Sequence, residues 1–155
     1  MLVGDQVGVE MSDSDAGRLV FISHSGEDTW VARQIAGKIS GCRATPFLDE
    51  ADVDVGDEFE EKILKFLEKA DELIVLFTPW SFERRYVWAE IGVAWFRRIP
   101  IIVVLHGITV TEFQTHPNAP IFLKKRDMIK LNDIDQYFDQ LDDRVSLRRK
   151  DGQEK

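Results

Sequence analysis

Short, nearly continuous apolar runs alternate along this 155-residue chain with longer stretches in which apolar positions recur every three or four residues. The continuous runs Arg18–Ser23, Thr45–Asp49, Leu73–Thr78, Ile101–Leu105 and Asp127–Leu131 read as strands, those with no polar alternation as strands covered on both faces. Helical patterns lie between them. Ser25 is placed to cap a helix running to about Ser40, with Trp30, Val31, Ile35 and Ile39 on one face and Gly41 at its end. Asp57 and Glu60 have capping-box spacing and open a helix whose apolar face is Phe59, Ile63, Phe66, Leu67 and Ala70. Tyr86–Phe96 is apolar almost all round, with Val87, Ile91, Ala94 and Trp95 on one face, and Pro100 stops it. A short helix is expected near Thr109–Thr115, and Asn132 is placed to cap a last one that packs through Ile134, Tyr137, Phe138 and Leu141. The aperiodic, Gly-, Asp- and Ser-rich residues 1–17 are expected to be a disordered leader, 18–148 a single domain, and 149–155 a charged, fraying tail.

Strands and helices in this alternation predict an α/β fold, a flavodoxin-like three-layer sandwich whose five parallel strands follow the order 2-1-3-4-5. Ligands of such sheets sit beyond the carboxyl ends of the strands, where the order reverses beside strand one. The loops after Ser23, Asp49 and Thr78 then share one rim, and the helix Tyr86–Phe96 starts from the third. That helix carries one carboxylate, Glu90, in an otherwise apolar stretch. A desolvated carboxylate needs a reason. It is either a structural ion pair, with Arg84, Arg85, Arg97 or Arg98 as candidate partners, or an acid opening onto the rim.

Composition narrows the function classes. Twenty-eight acidic against twenty basic residues give a formal charge of −8, and no basic run is longer than the three residues of Arg148–Lys150, so a nucleic-acid or anionic-membrane surface is not expected. The single cysteine, Cys42, allows no internal disulfide and fits a reducing, cytoplasmic setting. No run has the apolar length of a membrane span.

Local motifs carry less. Asp49-Glu50-Ala51-Asp52 matches a helicase tetrapeptide without any phosphate loop upstream, and Asp52–Gly56 resembles a calcium loop with its glycine one place early. Ser23–Asp28 has the outline of a flavin phosphate loop, but Glu27 and Asp28 in that turn would repel a phosphate monoester. A phospho-receiver would want an aspartate where Thr78 stands. Three histidines without helical pairing define no metal site; His24 alone is at the rim.

Phe21-Ile22-Ser23-His24-Ser25 with Glu27-Asp28, then Phe47-Leu48-Asp49-Glu50, Gly56-Asp57, and Ser81 with Tyr86-Val87 and Glu90-Ile91-Gly92 together resemble the Toll/interleukin receptor (TIR) domain, particularly its bacterial members. The resemblance spans about Arg18 to Val145. It implies the same flavodoxin-like sheet, and self-association through TIR–TIR contacts including the acidic loop Glu50–Gly56, which looks like the family's BB loop. It also implies one of two roles. Some members cleave NAD+ at the nicotinamide glycosidic bond, giving ADP-ribose or a cyclic product, with an essential glutamate that falls at Glu90; bacterial enzymes of this kind serve antiphage defence. Others are non-catalytic interaction modules. NAD+ is then substrate, no further cofactor is implied, and Ser23, His24, Ser25, Phe47, Trp80, Ser81 and Tyr86 are candidate substrate-binding residues. A related sheet with deoxyribosyl-transfer activity is a third reading. The family commonly has Ser and Trp where this chain has Arg84 and Tyr86. Tyr86 keeps a ring one turn before Glu90, while Arg84 suits either a pyrophosphate or a neighbouring carboxylate.

Overall fold

The computed structural model describes residues 17–48 and 57–153, of which 57–60, 62 and 148–153 by backbone alone. The acidic loop 49–56, and with it Asp49 and the proposed self-association segment, lies outside the described residues, as do the leader up to residue 16 and the side chains of the expected Asp57–Glu60 capping box.

Strands β1 (Leu19–Ser23), β2 (Thr45–Leu48), β3 (Glu72–Phe77), β4 (Ile101–Leu105) and β5 (Met128–Lys130) form one parallel sheet in the order β2-β1-β3-β4-β5. Helices α1 (Thr29–Gly41), α2 (Asp57–Lys69), α3 (Arg85–Phe96), α4 (Val110–Thr115) and α5 (Asp135–Gln153) connect and flank them. This is the expected flavodoxin-like sandwich. Because side chains alternate along a strand, each strand feeds two cores. Val20, Ile22, Ile74, Leu76 and Val104 pack with Ile35 and Ile39 of α1 and Tyr137 and Leu141 of α5. Phe21, Leu73, Val75, Phe77 and Val103 pack on the opposite face with Leu67 of α2, Val87, Ile91 and Ala94 of α3, and Phe113 of α4. The central strand β3 is buried throughout, as an uninterrupted apolar run requires.

Several expectations are corrected. Trp30 and Trp95 are 70% and 55% exposed, not core residues. Trp30 sits in the first turn of α1, before the buried face Ala32, Ile35, Ala36 and Ile39 begins. Trp95, in the last turn of α3, lies beside the buried face Val87, Glu90, Ile91 and Ala94 and stacks on Phe122 with ring centroids 4.7 Å apart. Gly41 is the last helical residue of α1, and the left-handed position after it is filled by Arg43 (φ 64°). Asn132 belongs to a 3₁₀ turn, Leu131–Asp133, ahead of α5, and α5 continues past Arg148 to Gln153. Thr109 caps α4 by accepting from the Glu112 amide at 3.0 Å.

Candidate functional site

The rim at the carboxyl end of the sheet is assembled from the β1–α1 and β3–α3 loops. Ser25 caps a 3₁₀ turn, Gly26–Asp28, its Oγ accepting from the Glu27 amide at 3.2 Å. Ser23, His24 and Ser25 are all buried. Ser23 follows Phe21 by two positions and lies in register with Val75, so its side chain is directed to the face of the sheet that packs α2 and α3. The Ser23 Oγ has no hydrogen-bond partner among the described residues, and such buried orphans call for an explanation. Of His24, Nε2 lies 3.5 Å from the Thr29 hydroxyl.

The β3–α3 loop is held by its own hydroxyls. The Thr78 amide donates to Ser81 Oγ at 3.0 Å, Ser81 Oγ is 3.4 Å from the Leu76 carbonyl, and the Trp80 amide donates to Thr78 Oγ1 at 3.3 Å. A second 3₁₀ turn, Ser81–Glu83, then leads into α3.

Three links join the two loops. Thr78 Oγ1 donates to Asp28 Oδ2 at 2.5 Å, the Tyr86 hydroxyl donates to the His24 carbonyl at 3.1 Å, and Arg84 Nη2 lies 3.9 Å from Glu27 Oε1. The Tyr86 link brings one side of α3 against the end of β1. Glu90 is one turn further along that helix and 3% exposed, among Val87, Ile91 and Ala94 as the buried residues of α3. Arg97, one candidate partner for it, donates to the carbonyls of Leu67 and Ala70.

A family model described as TIR domain matches residues 20–145. The chain belongs to the TIR-domain family. The fold agrees: the crystal structure of the TIR domain of the Toll-related receptor TRR-2 from Hydra magnipapillata matches with a TM-score of 0.57 at 21% identity, covering 78% of this chain and 91% of that one. No curated protein matches the sequence significantly.

Within this TIR domain the structure brings Ser23, His24, Ser25, Ser81 and Tyr86 to one rim and separates two other candidates from it. Phe47 stacks on Phe66 at 3.7 Å and against Phe21 at 5.1 Å, so its ring is engaged in packing under α2. Trp80 is 57% exposed at the outer edge. Ser81 directs its hydroxyl into its own loop, which makes it a loop-shaping residue. Asp28 and Thr78 were not singled out as a pair from sequence, since nothing local announces a bond across fifty residues.

The TIR domain buries a second carboxylate at the opposite end of the sheet. Glu72, fully buried at the start of β3, accepts hydrogen bonds from Arg18, from Tyr137 and from Arg144, the last at 3.0 and 3.2 Å. Desolvation raises its pKa, but the donors from Arg144, Tyr137 and Arg18 outweigh it and hold the carboxyl below the usual glutamate value. Burial, then the Glu72 charge, pushes Tyr137 far up, which keeps its hydroxyl a donor. A cavity of about 350 Å³ lies at that end, lined by Ile102, Arg126, Met128, Gln136, Tyr137 and Arg144, and is separate from the Glu90 rim. Among the described residues no cluster is arranged to hold a metal ion, and no helix is long and apolar enough to cross a membrane.

Proposed function

We propose that this TIR domain is an NAD+ glycohydrolase with Glu90 as its catalytic carboxylate. The observation that carries the reading is a glutamate 3% exposed on the helix leaving the rim, one turn from a tyrosine tied to the end of β1. The chemistry asks for little else. The nicotinamide of NAD+ is cationic on its ribose and departs neutral, so no acid is needed to protonate it, unlike the oxygen of an ordinary glycoside. The barrier lies in the oxocarbenium-like charge that develops as the C1′–N bond breaks. A carboxylate bonded to the ribose hydroxyls stabilises that charge, more strongly in a site shielded from water. Water then adds at C1′ and loses a proton, giving ADP-ribose; attack by a nucleophile within the same molecule gives a cyclic product. On this reading Ser23 and His24 bind the nucleotide, and Tyr86 stacks on one of its rings. Glu90→Gln is expected to lower nicotinamide release from NAD+ by about 100-fold or more while the protein stays folded. Equal release from both proteins removes Glu90 from the mechanism.

The second reading is a non-catalytic interaction module, in defence or other signalling. It is favoured by the exposed apolar side chains Trp95, Phe96 and Ile121, which a protein surface would cover. Self-association through the 49–56 loop belongs to both readings. NAD+ left intact by the concentrated, forcibly oligomerised domain, with a protein partner retained, would favour the module.

A further inference from the structure

We propose that Arg84 grips the anionic linkage of the substrate and makes the rim selective for a phosphate-bearing dinucleotide over a bare nucleoside. The proposal rests on the glycohydrolase reading and names the residue that recognises the non-reacting half of the substrate. Arg84 occupies the cap position of α3 in an extended conformation (φ −95°, ψ 100°) and makes no capping hydrogen bond with its side chain. The first turn of this twelve-residue helix also contains no acidic residue, so its amide end is open to an anion. The second, independent sign is Ser23. Its fully buried hydroxyl, without a partner among the described residues, is directed to the same face of the sheet that α3 covers.

The guanidinium is only loosely engaged. Among the described residues its one ion pair is the 3.9 Å approach to Glu27, between side chains 38% and 54% exposed, and such solvent-facing pairs are weak. Its Nε is buried without a hydrogen-bond partner among the described residues. A donor left unsatisfied beside a weakly held Nη2 is an edge of the fork ready for a bidentate acceptor, the geometry a phosphate offers. The charge pattern points the same way. Glu27, Asp28, Glu83 and Glu90 outnumber Arg84 and Arg85 over the two loops and α3, and a pyrophosphate entering there needs a local cation. Arg84 joins those loops; on binding, its guanidinium turns from Glu27 to the phosphates. Glu27 is then a weak competitor for the arginine between turnovers.

The test compares the full chain with Arg84→Gln, Arg84→Lys and Glu27→Gln on NAD+ and on nicotinamide riboside. Arg84→Gln is expected to raise KM for NAD+ by about 10- to 100-fold with kcat little changed, and to leave kcat/KM for the riboside unaltered. Arg84→Lys restores part of the loss, and Glu27→Gln lowers KM for NAD+. An unchanged KM in Arg84→Gln, or an equal loss on both substrates, overturns the proposal and leaves the glycohydrolase reading in place. Absence of nicotinamide release by the unaltered protein overturns that reading instead, and titration calorimetry with ADP-ribose then decides for Arg84. Binding lost in Arg84→Gln supports the anion grip; equal binding, or none by either protein, overturns it.

Discussion

Two buried glutamates do different work, and their surroundings say which is which. Glu72 is enclosed by two arginines and a tyrosine that satisfy its oxygens, so it is a structural acid. Replacing it by glutamine leaves Arg18 and Arg144 facing a neutral amide, with an expected loss of about 3 kcal/mol in urea unfolding. Its depressed pKa fixes the sign of the pH dependence. The contribution is in full force above the unfolded carboxyl's ordinary value and is lost as pH falls through the lower folded one. The wild-type protein should therefore lose stability toward acid more steeply than Glu72→Gln, the two curves converging once pH falls below the lowered pKa of the folded carboxyl, as followed in chemical denaturation series. From sequence Glu72 was invisible, because its partners lie 54, 65 and 72 positions away. Glu90 announced itself as the one acid in an apolar helix. Cys42 is half-buried, its thiol pushed up by desolvation and by Asp142 and Asp139, which suits a bystander better than a nucleophile.

At the scale of elements, the strands were legible to within a residue or two because a parallel sheet covered on both faces demands unbroken apolar runs. Helix faces were legible only where the helix stays over the sheet. Periodicity assigns Trp95 to the same stripe as Ile91, but the face actually buried is Val87, Glu90, Ile91 and Ala94, which leaves Trp95 at its margin with a ring that the structure exposes. The rim itself depends on α3 being fixed against the β1–α1 loop. Tyr86→Phe deletes the bond to the His24 carbonyl while keeping the ring. A loss of about 1 kcal/mol in stability is expected, with nicotinamide release reduced a few-fold, as measured by thermal melts and product assay on the same preparation.

For the whole molecule, the two cores are built by different helices and are not equally dispensable. α5 closes the face formed by Ile74, Leu76 and Val104 with Tyr137, Leu141 and Val145, and it also brings Arg144 and Tyr137 to Glu72. A chain ending at Lys130 would expose that face and leave Glu72 and Arg18 alone in it, and is expected to show no cooperative melt by circular dichroism. The rim lies outside this support, at the other end of the strands. Stability and activity should thus be separable by mutation, since the acid that braces the sheet sits at the start of β3, away from the rim at the carboxyl ends of the strands.

The tyrosine of α3 addresses a main-chain oxygen, that of residue 24. Exchanging His24 for another side chain of similar bulk would leave that anchor standing. The side chain at this corner can therefore be exchanged without unmooring the helix on which the acid rides.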